Sequence, residues 1–231
     1  MSRNMWRTNG KMNFPLDGLE LYLPLWHPEL SGSPILSKDT NQHSCAVTGA
    51  THVPPTHRSF DGADDWITVP YHASLDALSA FSIIAWVYLD AGQPSWSSIF
   101  GGDAAATVAP WAFRAHAVSA DVMEFQIIIK TAGSLDWQNS ATDSGVQTWL
   151  CVGASYDGTT MTNFLAGVPD GSSAHANPGN AVADGSDYRI GAYLDGAGDV
   201  KGDIGEIWIW SRKLIPLEFD HVYLATRWRY V

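Results

Sequence analysis

Charge, cysteine and long apolar runs are all scarce in this chain of 231 residues, and each shortage excludes a class of protein. Charged residues make up only 16% of the sequence, which argues against long solvated helices. No stretch approaches the roughly 18 apolar residues of a membrane-spanning helix, so membrane insertion is not expected. Residues 1–7 contain no apolar segment of the kind that a signal peptide needs, so no classical signal peptide is expected.

The charge that is present is mostly negative. Lys and Arg number 13 and Asp and Glu number 24, which gives a formal net charge of −11. Such a chain repels a phosphate backbone and an anionic membrane surface, so neither nucleic acid nor membrane is expected as a partner. An acidic surface does tolerate cations, and Ca²⁺ is the natural one for carboxylate oxygens.

Only two cysteines are present, Cys45 and Cys151. They can form one disulfide or remain two thiols, but they are too few for a zinc framework. Cys151 lies in an apolar run that is typical of a buried strand, where free cysteine is common. The sequence therefore favours two free thiols.

Tryptophan (11) and glycine (21) are abundant, and short apolar runs alternate with turn residues along the chain. This pattern predicts many short strands and tight turns. One helix is predicted at 216–225, because Pro216 suits its first position. The Pro-, Gly- and Ser-rich stretch 168–186 is predicted to be a surface loop. We expect an N-terminal extension at 1–18, a single domain at 19–226 and a C-terminal tail at 227–231.

Four segments in order carry a family resemblance: SFDGADDWITVP at 59–70, FSIIAWV at 81–87, WLCVGASYDG at 149–158 and GDIGEIWIWSRKL at 202–214. Together they resemble the laminin-G-like family of concanavalin A-like lectin/glucanase domains over residues 58–225. The resemblance implies an all-β, two-sheet antiparallel jelly-roll sandwich with one short C-terminal helix. The chain is also similar to laminin-G-like chains in phage and environmental viral sequences.

Two departures from the family pattern bear on function. Gly205 stands where family members carry Asp, and Ala166 replaces a polar hairpin residue. Relatives that hydrolyse glycans carry carboxylates at alternate positions of one strand, so that both face the same side. Here Asp203 and Glu206 are three residues apart, which predicts opposite faces. We therefore expect no catalytic residues and no enzyme.

Acidic residues crowd two turns and are the candidate metal ligands. The candidates are Asp61, Asp64, Asp65, Asp195, Asp199 and Asp203. Clustered carboxylates on neighbouring loops could bind Ca²⁺ as a cofactor. The alternative is that Asp61 caps its own turn, which is the usual role of Asp in such a position.

Aromatic residues near loop-rich stretches are candidate platforms for a glycan. The candidates are Trp96, Trp111, Trp137 and Tyr193. An exposed ring can stack on the apolar face of a sugar, whereas most tryptophans in a sandwich are buried in its core. An exposed aromatic patch could equally form a subunit interface.

Cations alternate with aromatic rings at both ends of the chain, which suggests segments that dock onto acidic neighbours. The candidate assembly residues are Trp6, Arg7, Arg227, Trp228, Arg229 and Tyr230. The alternative is that both ends are frayed.

Three functions follow in order of preference. The first is a non-enzymatic binding or structural module, an exterior component of a virion or other extracellular assembly, with protein subunits as partners and a possible homo-oligomer. The second is a lectin-like carbohydrate-binding module that uses loop tryptophans and possible Ca²⁺. The third is a glycan hydrolase with an unrecognised site.

Overall fold

A computed structural model describes residues 14–102, 110–194 and 198–231 of the chain. The candidate residues Trp6, Arg7 and Asp195 lie outside the described residues. The strands are, in chain order, β1 (Leu19–Pro24), β2 (Ile35–Leu36), β3 (Ser44–Thr48), β4 (Thr51–Val53), β5 (His57–Asp61), β6 (Trp66–Val69), β7 (Phe81–Leu89), β8 (Trp96–Gly101), β9 (Trp111–Ser119), β10 (Val122–Lys130), β11 (Leu135–Asn139), β12 (Ser144–Gly145), β13 (Trp149–Tyr156), β14 (Thr160–Leu165), β15 (Val168–Ala174), β16 (Tyr188–Ile190) and β17 (Lys201–Trp210).

These strands form two antiparallel sheets. The eight-stranded sheet has the order β15-β14-β13-β7-β17-β5-β4, and β1 pairs with β17 beside it. The nine-stranded sheet has the order β11-β10-β9-β8-β16-β6-β3-β2, and β12 pairs with β10. Neighbours in a sheet are often far apart in the chain, as β7 and β17 show by pairing across more than a hundred residues. The predicted two-sheet antiparallel sandwich is confirmed.

The helix α1 (Pro216–Thr226) follows β17, and a 3₁₀ turn (Arg227–Arg229) continues it. Pro216 occupies the first helical turn, as the sequence predicts. The Glu218 carboxylate accepts a hydrogen bond from the backbone N–H of Ile215 at 2.9 Å, which satisfies one of the amides left unpaired at the helix start. Within the described residues no helix is long and apolar enough to span a membrane.

Two apolar layers lie on either side of the eight-stranded sheet. Alternate strand residues such as Phe81, Ile83 and Ile207 fill the space between the two sheets. The intervening residues on the same strands, such as Trp86 and Trp208, form a second layer beneath α1. Strand β7 is buried on both faces, as its continuous apolar sequence predicts.

The prediction of a loop across 168–186 is wrong in its first part. Residues Val168–Ala174 form β15, which pairs with β14 at the edge of the eight-stranded sheet. Pro169 and Gly171 are tolerated there because an edge strand leaves one row of backbone groups unpaired. A segment rich in Pro, Gly and Ser, such as Val168–Ala174, can therefore form a strand at the edge of a sheet.

Both cysteines are buried and free, Cys45 in β3 and Cys151 in β13. Burial raises the pKa of the Cys45 thiol to about 12, with a smaller contribution from Asp39. Burial also raises the pKa of the Cys151 thiol well above its usual value. Both groups are thiols at neutral pH and serve as small apolar core residues.

Candidate functional site

The outer face of the nine-stranded sheet is polar, in contrast to the layer beneath α1. Inward positions of β9 and β10 are occupied by apolar residues such as Phe113 and Phe125, so the residues between them point outward. Seven residues of strands β8–β11 make up this surface, which we call the polar face: Trp96, Arg114, His116, Glu124, Gln126, Trp137 and Asn139.

Arg114 is the centre of the polar face. Its Nε donates a hydrogen bond to Oε1 of Gln126 at 2.8 Å, and its Nη1 donates to the hydroxyl of Tyr193 at 3.1 Å. Gln126 is buried, and its amide nitrogen donates to the side-chain oxygen of Asn139. A guanidinium held at several points is pre-organised and loses little freedom when a ligand binds.

Trp96 lies on the polar face but its ring is already covered. The imidazole of His116 stacks on it with ring centroids 4.0 Å apart and planes 10° apart. The guanidinium carbon of Arg114 lies 3.7 Å from the same ring. A sugar could stack flat on Trp96 only by displacing one of these groups, so Trp96 serves mainly to position them.

Glu124 closes the polar face on the other side. Its Oε2 accepts a hydrogen bond from the amide nitrogen of Asn139 at 2.6 Å, and it lies 3.6 Å from Nδ1 of His116. Arg114, Gln126, Asn139 and Glu124 therefore form one continuous row of hydrogen bonds across β9, β10 and β11. Such a row presents both donors and acceptors to the solvent side.

Trp137 is the exposed aromatic residue of the polar face. It stands opposite Ile128 in the β10–β11 register, and 55% of its surface is exposed. Within the described part of the chain, no aromatic ring or cation covers its indole. The adjoining surface is apolar, because Ile128, Ala112 and Leu135 pack together beside it.

Two of the predicted glycan platforms need correction. Trp111 is only 1% exposed and lies between the sheets, with its ring 4.4 Å from Phe81 and 5.0 Å from Phe100. Tyr193 is also buried, and it contributes its hydroxyl to Arg114. Trp111 points inward because it occupies the same phase of β9 as Phe113, which the sequence alone does not reveal.

The turn after β5 gathers three of the predicted metal ligands. Carboxylate oxygens of Asp61, Asp64 and Asp65 lie within 4.8 Å of one another. Burial raises the pKa of Asp65, a hydrogen bond from the backbone of Asp61 opposes that rise, and the neighbouring carboxylates add to it. Oδ1 of Asp61 also accepts a hydrogen bond from the N–H of Ala63 at 2.8 Å, as a turn-capping Asp does.

The cluster of Asp61, Asp64 and Asp65, which we call the acidic turn, does not include the other two described candidates. Burial raises the pKa of Asp199, a hydrogen bond from its own backbone opposes the rise, and the charges of Asp61 and Asp64 add to it. Asp203 lies apart, with its Oδ2 3.4 Å from Nε2 of His57. Burial raises the pKa of Asp203 while His57 lowers it.

The prediction that Asp203 and Glu206 face opposite sides is wrong. The register of β17 against β7 shifts between Ile204 and Glu206, so Gly205 is an extra residue in a β-bulge. Ile204 and Ile207 both point between the sheets, which leaves Asp203 and Glu206 on the same outer side. Strict alternation fails here because one residue is left out of the ladder.

Glu206 is nevertheless not an open carboxylate, because the C-terminal tail covers it. It is 1% exposed and accepts hydrogen bonds from the hydroxyls of Tyr22 at 2.9 Å and Tyr230 at 3.1 Å. Arg229 forms an ion pair with it. The Tyr230 ring lies directly over Gly205, so close that a Cβ atom at this position would overlap the ring.

The assembly prediction for the tail is therefore corrected for two residues. Arg229 and Tyr230 dock onto their own domain, and Tyr230 stacks on Trp86 with ring centroids 4.5 Å apart. Arg227 and Trp228 remain exposed. The sequence contains one signal of this docking, which is Gly205. Its lack of a side chain in a strand of otherwise large residues makes room for the Tyr230 ring.

The comparisons with known proteins agree with this architecture. A sequence model of the concanavalin A-like lectin/glucanases superfamily, of the Laminin_G_3 type, matches residues 61–218. No curated protein sequence matches the chain. Domain 4 of AbnA, an extracellular arabinanase from Geobacillus stearothermophilus solved in complex with arabinotriose, is similar in fold. It is 14% identical with a TM-score of 0.64, covering 90% of this chain and all of that one.

Two toxin domains are similar in the same way. The binding domain of Paraclostridial Mosquitocidal Protein 1 is 12% identical with a TM-score of 0.65, and that of botulinum neurotoxin DC, in complex with SialylT, has the same values. Each comparison covers 90% of this chain and 52% of the toxin domain, so the chain spans about half the length of the toxin domains that it matches. By the extent of the sequence match, this chain belongs to the concanavalin A-like lectin/glucanases superfamily.

Proposed function

We propose that this domain is a non-catalytic glycan-binding module and that the polar face is its binding surface. The observation that carries the proposal is the exposed indole of Trp137 beside a pre-organised row of hydrogen-bonding side chains that includes Arg114 and Asn139. Two solved domains of similar fold support it, since one holds arabinotriose and the other SialylT in its structure.

The chemistry of the polar face suits a saccharide. A sugar ring has an apolar face that packs on an aromatic ring and a rim of hydroxyls that both donate and accept hydrogen bonds. Trp137 offers the first kind of contact, while Arg114, Asn139 and Glu124 offer the second. A small number of fixed polar groups next to an apolar surface is the general composition of a ligand site.

A binding experiment tests the proposal directly. The full chain is screened on a glycan array that includes arabino-oligosaccharides and sialylated glycans, and hits are measured by calorimetry. Trp137→Ala should weaken binding by about tenfold or more, which corresponds to roughly 1.4 kcal/mol. Tyr71→Ala is the matched control, because Tyr71 is an exposed aromatic residue that lies outside both the polar face and helix α1. No binding on the array, or equal loss in both variants, would contradict the proposal.

We also propose that the domain hydrolyses no glycan. In the described residues, the two acids that share the outer side of β17 are both engaged, Glu206 beneath the tail and Asp203 with His57. A carboxylate that is 1% exposed has no access to a glycosidic oxygen. Release of reducing sugar from a bound glycan that disappears in Glu206→Gln would contradict this.

Calcium at the acidic turn is a separate proposal. The donor set fits a hard cation, because three carboxylates stand together in one turn. Ca²⁺ in place of chelator should raise Tm by about 3 °C or more. Asp65→Asn should abolish that shift and Asp187→Asn should not, since both acids accept one backbone N–H. No shift in the unmodified chain would exclude a stabilising site.

A place on a virion surface or in another extracellular assembly remains a proposal that rests on the sequence resemblance. Its partners would be protein subunits, and the tail residues Arg227 and Trp228 are the predicted contacts that remain exposed in this domain. Detection of this chain on the exterior of purified particles by antibody labelling would support it. Exclusive recovery of the chain in a particle-free fraction would contradict it.

A further inference from the structure

Helix α1 carries exposed leucines on the side that faces away from the eight-stranded sheet, in addition to the apolar residues that pack on that sheet. Its inner side packs on the eight-stranded sheet through Phe219, Val222 and Thr226. Its outer side carries Leu217 and Leu224, and Trp228 continues the same row into the 3₁₀ turn. Leu217 is 71% exposed and Trp228 is 70% exposed.

The outer residues follow a heptad spacing. Five positions in a row, separated by four, three, four and three residues, form what we call the outer stripe: Leu217, His221, Leu224, Trp228 and Val231. All five are exposed. Leu217, His221 and Leu224 lie in α1, whereas Trp228 lies in the 3₁₀ turn and Val231 follows that turn. Alternating steps of four and three are the spacing at which one helix packs along another, so the part of the stripe in α1 favours a helix as its partner.

Charged residues beside the outer stripe favour a second copy of α1 as that helix. Asp220 and Arg227 lie seven residues apart on the same flank of the stripe, with opposite charges. Neither forms an ion pair among the described residues. In two antiparallel copies of α1 related by a two-fold axis, Asp220 of each copy faces Arg227 of the other. In a parallel pair Asp220 would instead face Ala225, which carries no charge.

We propose that this domain forms a two-fold symmetric dimer through antiparallel packing of the outer stripes of two α1 helices. The stripe exposes roughly 500 Å² of apolar surface, as large as the biggest patch of an ordinary monomer. Two copies together would bury about 1,000 Å², at the lower limit of a specific interface, so the dimer is a weak one. Since α1 lies on the side opposite the polar face, the two polar faces of the dimer point away from each other.

The first test is the mass of the full chain in solution. Sedimentation velocity from roughly 1 µM to 1 mM should show the mass doubling with concentration. Leu224→Glu places a charge at the centre of the stripe and should abolish dimerisation. Leu36→Glu is the matched control, because Leu36 in β2 is a leucine of similar exposure elsewhere on the surface. Circular dichroism should show all variants folded, since both side chains are exposed.

A charge exchange tests the antiparallel arrangement. Asp220→Arg alone and Arg227→Asp alone should each weaken dimerisation by about tenfold or more, because like charges then face each other. The double variant should restore it. A monomer at every concentration, a dimer that survives Leu224→Glu, or a double variant no better than the singles would each overturn the proposal.

Discussion

The two outer faces of the sandwich contrast sharply, although both are built from strands that alternate in the same way. On the eight-stranded sheet the outward positions carry large apolar residues such as Trp86, Trp208 and Trp210, and a helix and the C-terminal tail cover them. On the nine-stranded sheet the outward positions carry Arg114 and Glu124, and they meet solvent. The residues on the outward phase of a strand therefore show whether a sheet is covered or open.

The two faces are also expected to differ in how much their residues contribute to stability. The covered face holds aromatic rings in a dry layer, where their removal leaves a cavity. The open face holds its polar groups through their bonds to one another, and it keeps Trp137 exposed where burial would have been favourable. An exposed indole contributes little to folding, so the proposed binding role of Trp137 can be tested without loss of the fold.

The largest expected effect compares the same residue type on the two faces. Trp86→Ala should destabilise the domain by about 3 to 5 kcal/mol, because it opens a cavity and removes the hydrogen bond from Trp86 to Thr226. Trp137→Ala should change stability by no more than about 0.5 kcal/mol. Urea unfolding of both variants measures the difference, and equal losses would break the contrast between the faces.

The ion pair beneath the tail gives the next effect. Arg229→Ala leaves the buried Glu206 carboxylate without its counter-ion, and should cost about 3 kcal/mol or more. Arg227→Ala removes an exposed arginine two residues away and should cost less than about 0.5 kcal/mol. If both variants unfold at the same urea concentration, the tail does not cover this face in solution.

A substitution at Gly205 tests the contact between the C-terminal tail and β17 from the strand side. A Cβ atom at this position would overlap the Tyr230 ring, so Gly205→Ala should push the ring from its place on Trp86. The expected cost is about 1 to 3 kcal/mol. Gly145→Ala is the control, since a methyl group added to Gly145 would meet no other atom within 4 Å. Thermal melts and the tyrosine–tryptophan near-ultraviolet spectrum report the displacement.

The smallest effect is a pH dependence of stability that comes from the ion pair between Asp157 and Lys213, a residue that lies just before α1. Burial opposes the charge of Asp157, but Lys213, the Thr159 hydroxyl and two backbone N–H groups outweigh it and hold the pKa of this carboxyl below its usual range. A lowered folded-state pKa stabilises the domain above the unfolded value near ~3.9, and the contribution is lost as pH falls further. Asp157→Asn should therefore cost about 1 kcal/mol at neutral pH and almost nothing at strongly acidic pH.

A double-mutant cycle checks the source of that effect. Lys213→Met should cause the same loss as Asp157→Asn at neutral pH, since their charges lie 2.7 Å apart. The double variant should lose little more than either single variant. Additive losses would mean that the two residues act independently.

Much of the fold follows from local sequence. Alternation and turn residues predict the strands around Phe81–Leu89 and Trp149–Tyr156, and Pro216 predicts the start of the helix. These signals are local because they depend on side-chain periodicity and on the fixed φ of proline. The edge strand β15 escapes them because its composition resembles a loop.

The candidate site is less predictable because it depends on register. Trp96 and Trp137 are correctly placed on the surface by their loop-rich surroundings, whereas Trp111 is misplaced because its phase within β9 decides its side. Arg114, Gln126 and Asn139 are neighbours only after three strands are aligned. No spacing in the sequence reports such cross-strand contacts.

The bulge in β17 has a consequence for changes in chain length. Because Gly205 stands outside the pairing of β17 with β7, its carbonyl is free to accept a hydrogen bond from the N–H of Leu25 at 3.0 Å. If Gly205 is left out of the count, side chains alternate between the two faces of the sheet without interruption from Ile204 to Glu206 and beyond. Removing this one residue would leave every downstream side chain on its present side, whereas a deletion elsewhere in the strand would invert them. Gly205 is thus the position at which β17 can be shortened by one residue while its buried and outward-facing side chains keep their present faces.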